Sequence, residues 1–84
     1  MAITQRVKEG KWYKVYNRRK RLVGSWHIEA HRNSNGIVTG RGFLYKGYVY
    51  DKDMNIILDF TGDNGIYLTA IEAAEAAIEN IIHP

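Results

Sequence analysis

Eighty-four residues without a cysteine describe one small domain with a thin core, and exclude disulfides and thiolate metal sites. The net charge of +3 is unevenly spread: residues 1–48 hold eleven Lys/Arg against Glu9 and Glu29, whereas residues 49–84 hold Lys52 against seven acids. Residues 1–20 have no continuous apolar run of the signal-peptide kind and no segment approaches bilayer length, so the expectation is a soluble, cytoplasmic protein without membrane contact.

Residues 1–10 are polar and lack periodicity, which predicts a flexible arm carrying Arg6 and Lys8, with 11–84 as the domain proper. Lys11–Asn17 is rich in aromatic and β-branched residues and reads as a first strand. Either Trp12, Lys14 and Tyr16 or Tyr13 and Val15 could be its inner side. Four adjacent cations follow, Arg18, Arg19, Lys20 and Arg21, and their mutual repulsion places them at a solvated hairpin tip. Leu22–Arg32 alternates cleanly, with Trp26, Ile28 and Ala30 on one side and His27, Glu29 and His31 on the other.

Asn33-Ser-Asn-Gly36 is a turn, and Ile37–Tyr45 is a third strand. Its alternation sets Val38, Gly40, Gly42 and Leu44 against Ile37, Thr39, Arg41, Phe43 and Tyr45. A side with two glycines admits a close neighbour, so a helix is expected there, leaving Arg41, Phe43 and Tyr45 facing away from it. Lys46-Gly47 reads as a bulge or bend before Tyr48–Tyr50, Asp51–Asn55 as a polar turn, and Ile56–Phe60 as the last long strand. After a loop over 61–65, Thr69 and Glu72 form a capping box that opens a helix running to Ile82. Ile71, Ala74, Ile78 and Ile81 share its apolar face; Glu72, Glu75 and Glu79 share a polar one. The fold class is α+β: an antiparallel meander of four to five strands with one C-terminal amphipathic helix packed on one face.

Signals for catalysis are weak. Ser25 and Ser34 lack motif support, and there is no thiol. His27, Glu29 and His31 fall about 7 Å apart in succession on one strand side, which suits local charge pairing better than a zinc site lacking further ligands. Asp51-x-Asp53-x-Asn55 begins like a calcium loop, but Ile56 stands where the sharp turn needs glycine and Gly62 where a bidentate Glu belongs. No enzyme, cofactor or metal is expected.

Aromatic and basic residues are interleaved from Arg41 to Tyr48. This octapeptide resembles the aromatic strand motif of RNA-recognition domains, with Arg41, Gly42, Phe43, Tyr45 and Tyr48 at matching positions. That family has a helix between its first two strands where this chain has a hairpin, so the likeness is one of chemistry over eight residues. Trp26-His-Ile28 with the later Thr69-x-x-Glu-Ala-Ala-x-Ala is similar to AP2-type domains and to the arm-binding domains of phage-type integrases, at a different spacing. That resemblance implies Trp26 on a sheet backed by the helix, with the basic hairpin against phosphate.

The expectation is therefore a small non-enzymatic nucleic-acid-binding protein, for DNA or RNA. Arg18, Arg19, Lys20 and Arg21 would engage phosphates, Arg41 would add charge, and Phe43, Tyr45 and Tyr48 would stack on bases or sugars. The alternative is a protein-interaction module, an accessory or inhibitor protein of a phage or mobile element, whose aromatic side meets a partner or a second copy. Core packing also accounts for such aromatics in a small β-rich domain.

Overall fold

The computed structural model describes residues 7–61 and 66–83. Its strands are β1 (Tyr13–Tyr16), β2 (Leu22–Arg32), β3 (Val38–Tyr50) and β4 (Ile56–Thr61), and its helix is α1 (Ala70–Ile82). The strands form one antiparallel sheet in the order β1-β2-β3-β4, and α1 packs on β2 and β3. Residues 1–6, six of the ten residues of the expected arm and including Arg6, lie outside the described residues, as do 62–65. Residues 7–10 are fastened to the sheet: Gly10 N donates to the Ile28 carbonyl at 2.9 Å, and Ala30 N donates to Glu9 Oε1 at 3.1 Å.

The three hairpin turns are built on one plan. Asn17, Asn33 and Asp51 each turn a side-chain oxygen back onto the backbone N–H groups two and four residues later, at 2.8–3.0 Å. Such Asx bonds satisfy donors that the ladder leaves free at the turn. The residue three after each Asx is left-handed: Lys20 at φ 62°, Gly36 at 77° and Met54 at 66°. A three-residue hairpin loop ends in this conformation, where glycine has no steric penalty.

Which side of β3 meets the helix is the reverse of the sequence expectation. The register pairs Ala30 with Phe43, Ile28 with Tyr45, Trp26 with Gly47 and Gly24 with Val49. Phe43, Tyr45, Gly47 and Val49 thus share the side of Trp26 and Ile28, and that side forms the core with Val15, Ala73, Ala74, Ala77 and Ile81. The close approach of the helix expected at Gly40 and Gly42 occurs instead at Gly24. A Cβ on Gly24 would lie 2.5 Å from Ile81 Cγ2, and one on Gly47 would lie 2.6 Å from the Phe60 ring. Gly47 is therefore a seat for Phe60 within an unbroken strand, and no bend occurs at Lys46-Gly47. Gly42 instead abuts the Tyr67 carbonyl, where Tyr67 pairs with Phe43 as an isolated bridge.

Thr69 caps α1 by accepting a hydrogen bond from Glu72 N at 3.1 Å. The buried stripe is mostly alanine, Ala73, Ala74 and Ala77 with Ile81, whereas Ile71 is exposed and Ile78 half-buried. The aromatic sheet face fills much of the space between layers, so small side chains predominate beneath the helix axis, and Ile81 has room because it sits over Gly24. Tyr45 joins the layers by accepting a 2.7 Å hydrogen bond from Asn80 Nδ2, and its ring meets Phe60 edge-on at 5.7 Å.

Candidate nucleic-acid interface

The β1–β2 tip is internally hydrogen-bonded and strongly cationic. Asn17 Oδ1 accepts from Arg19 N and Arg21 N, Lys20 N donates to the Asn17 carbonyl, and Asn17 N donates to the Arg21 carbonyl. The backbone of the loop is consequently held, while the side chains of Arg18, Arg19, Lys20 and Arg21 stay exposed. None of the four forms an ion pair among the described residues. Adjacent cations without partners raise a local positive potential that attracts anions. Arg21 also helps to hold the Asp51 carboxyl below its usual range, after the larger contribution of its hydrogen bonds from the turn, led by Asn55.

The sheet side away from α1 carries the second aromatic group. Trp12 stacks on His27 at 4.2 Å and on Tyr48 at 5.4 Å, with rings within 19° and 16° of parallel. This assigns β1: Val15 is buried, Tyr13 stacks on Trp26 at 4.7 Å on the helix side, and Trp12 belongs to the open side. Trp12 remains 44 % exposed, so the outer surface of its ring is free to contact another molecule. Beside it, Ser25 Oγ lies 2.8 Å from Tyr50 OH, and Lys46 Nζ lies 3.5 Å from Glu29 Oε2.

His27 is buried beneath Trp12, and neither ring nitrogen has a hydrogen-bond partner among the described residues. Glu29 Oε1 is 3.5 Å from Nε2 without meeting hydrogen-bond geometry. Burial pushes the imidazole pKa below its ordinary value, opposed by Glu29 and assisted by Lys46. His31 is separate from it, with Nδ1 2.7 Å from Thr39 Oγ1. Among the described residues, no three His, Cys, Asp or Glu side chains gather as metal ligands.

The proposed site residues therefore divide into groups. Arg18–Arg21 share the tip; Arg41 is exposed at the opposite end of the sheet, on the β2–β3 hairpin. Tyr48 lies on the open side, partly covered by Trp12. Phe43 and Tyr45 do not form an outward platform: Tyr45 is 3 % exposed, and half-buried Phe43 packs against the core. Burying these rings under the helix removes more apolar area from water than burying Val38 or Leu44 would. Trp12 is the open-side residue that the sequence left undecided, and its aromatic neighbours are visible only in the register. No protein-family model, curated protein or solved structure matches this chain.

Among the described residues, no helix is long and apolar enough to cross a membrane.

Proposed function

We propose that this chain is a small non-enzymatic nucleic-acid-binding protein whose primary contact is the Arg18–Arg21 tip. The observation that carries the reading is that four exposed cations sit on a hydrogen-bonded turn without ion pairs among the described residues. A pre-ordered cluster of this kind gives up little backbone freedom on meeting a phosphate chain. Trp12 and Tyr48, with Lys14 on the same strand pair, replace Phe43 and Tyr45 as the residues that flank it. Binding is tested by fluorescence anisotropy with labelled nucleic acid at low salt. Wild type should bind, and the variant with all four tip cations changed to Ala should bind at least about tenfold more weakly.

The protein-partner reading rests on β4 rather than on Phe43 and Tyr45, which lie on the side that the chain's own helix covers. Ile56, Ile57 and Leu58 are 55, 63 and 39 % exposed on an edge strand, and such edges accept added strands. Under that reading the wild type self-associates or captures a strand, and Ile57→Lys abolishes the association while leaving the fold intact. Sedimentation over a range of concentrations measures it.

A further inference from the structure

We propose that the ligand is B-form duplex DNA, with the protein lying lengthwise along it and touching the backbone at two places about one helical turn apart. This rests on the nucleic-acid reading above and specifies the kind of nucleic acid.

The first observation is the spacing of the cations. β2 links the two hairpins, so the Arg18–Arg21 tip and the Asn33–Gly36 turn lie at opposite ends of one strand. The eleven residues of β2 span about 33 Å at the usual rise per residue. The molecule is 40 Å in its longest dimension, in keeping with that span. One turn of B-form DNA is about 34 Å, so contacts at both ends can reach equivalent backbone positions on one face of the duplex.

The second observation is the form of the far end. Past the Ala30–Phe43 pair the register shifts to Arg32–Val38, and residues 32–41 are all exposed and form the two-stranded ribbon at the end of the β2–β3 hairpin. The ribbon holds Arg32 and Arg41 and no acid. Arg41 forms no ion pair among the described residues; Arg32 lies 3.5 Å from Glu9 and donates to the Gly36 carbonyl at 3.0 Å. Ile37 and Val38 are 61 and 48 % exposed beside them. A two-stranded ribbon fits the major groove of B-form DNA, whereas the deep, narrow major groove of duplex RNA excludes it.

The third observation concerns the surface between the ends. Single-stranded ligands are held by successive bases stacking on open rings. Here Tyr45 is inside the core, and Trp12 is stacked on His27 and Tyr48, leaving the outer side of Trp12 and the 56 % exposed Tyr16 as open rings. Cations at two ends with few open rings between them suit a ligand whose bases stay paired.

Blunt DNA duplexes of about 6, 8, 10, 12 and 16 base pairs, with matched single strands and duplex RNA, provide the test by anisotropy competition. Affinity should rise steeply up to about one turn and little beyond it, with single strands and duplex RNA at least about tenfold weaker than the longest DNA duplex. The Arg32→Ala/Arg41→Ala double variant should lower the salt slope by about two on the longest duplex and leave the shortest unchanged. Equal or tighter binding of single strands or of duplex RNA overturns the proposal. So does affinity independent of length, or a double variant that binds the longest duplex like wild type. Failure to bind any of these at low salt overturns the underlying reading as well, which distinguishes the two.

Discussion

Lys20 and Gly36 occupy the same place in two hairpin turns, each three residues after an Asn that bonds the loop N–H groups, with φ of 62° and 77°. Glycine takes this conformation without penalty, whereas a residue with a Cβ is strained by about 1 kcal/mol. Lys20 therefore carries strain at a position where the chain uses glycine elsewhere, and what it adds is a cation at the tip. Lys20→Gly should leave stability unchanged or raise it by up to about 1 kcal/mol, because relief of strain is partly offset by glycine's greater freedom in the unfolded chain. The same variant should lower the salt slope of nucleic-acid binding by about one. Urea midpoints and salt titrations measure the two effects. A clear loss of stability would mean that the Lys20 side chain holds the turn together.

Tyr45 and Trp12 should separate core from surface. Tyr45→Ala should cost about 3–5 kcal/mol by emptying its place between sheet and helix. Tyr45→Phe should cost about 1 kcal/mol, because the hydrogen bond from Asn80 Nδ2 is lost. Neither should change the affinity of the protein that remains folded. Trp12→Ala should weaken binding with a much smaller effect on unfolding, since the ring is partly exposed. Denaturant curves run beside anisotropy distinguish these outcomes.

Trp12 should also govern His27. Burial is the leading cause of the lowered imidazole pKa, so Trp12→Ala should return it toward the ordinary 6.5. In wild type the folded state disfavours the proton, so neutral His27 gives its full contribution above the unfolded value. That contribution declines as pH falls below 6.5 through the lowered folded value. NMR titration of the His27 ring in both proteins checks this, and equal pKa values would show that Trp12 does not desolvate it.

At the β3–β4 turn, Asp51 accepts hydrogen bonds from Asp53 N and Asn55 N in its charged form. Its folded pKa is depressed, led by the Asn55 backbone hydrogen bond, so its contribution is full above the unfolded value near 3.8 and is lost as pH falls through the lower folded value. Asp51→Asn, the residue type used at Asn17 and Asn33, should keep the turn and flatten this acid dependence. Thermal unfolding of both proteins between neutral pH and about pH 3 is the check. Unchanged acid sensitivity would remove Asp51 as its source.

The parts of the fold legible in the sequence were those set by local chemistry. Asn33-Ser-Asn-Gly36 and Asp51–Asn55 carry their own turn donors and acceptors, four adjacent cations can hardly be buried, and Thr69 with Ala-rich residues opens a helix wherever it docks. What the sequence hid depends on contacts between distant residues. Gly40 and Gly42 read as a seat for the helix, but the glycine that yields to the helix is Gly24 under Ile81, while Gly42 yields to the Tyr67 backbone and Gly47 to Phe60. Both sides of β3 carry aromatics, with Phe43 and Tyr45 on one and Tyr48 and Tyr50 on the other, so alternation alone could not choose between them. The sequence leaves the side of Trp12 open for the same reason: its place depends on pairing Tyr13 with Trp26, a relation no local pattern records. The proposed site consequently retains Arg18–Arg21 and Tyr48 and takes Trp12 in place of Phe43 and Tyr45.

The most direct test of the central claim is the salt dependence of nucleic-acid affinity for wild type and for the variant with Arg18, Arg19, Lys20 and Arg21 all changed to Ala. Each phosphate neutralised adds about 0.9 to the slope of log affinity against log salt, so the variant should bind more weakly with a slope flatter by about three to four. An equal slope and full affinity in a folded variant would contradict the account.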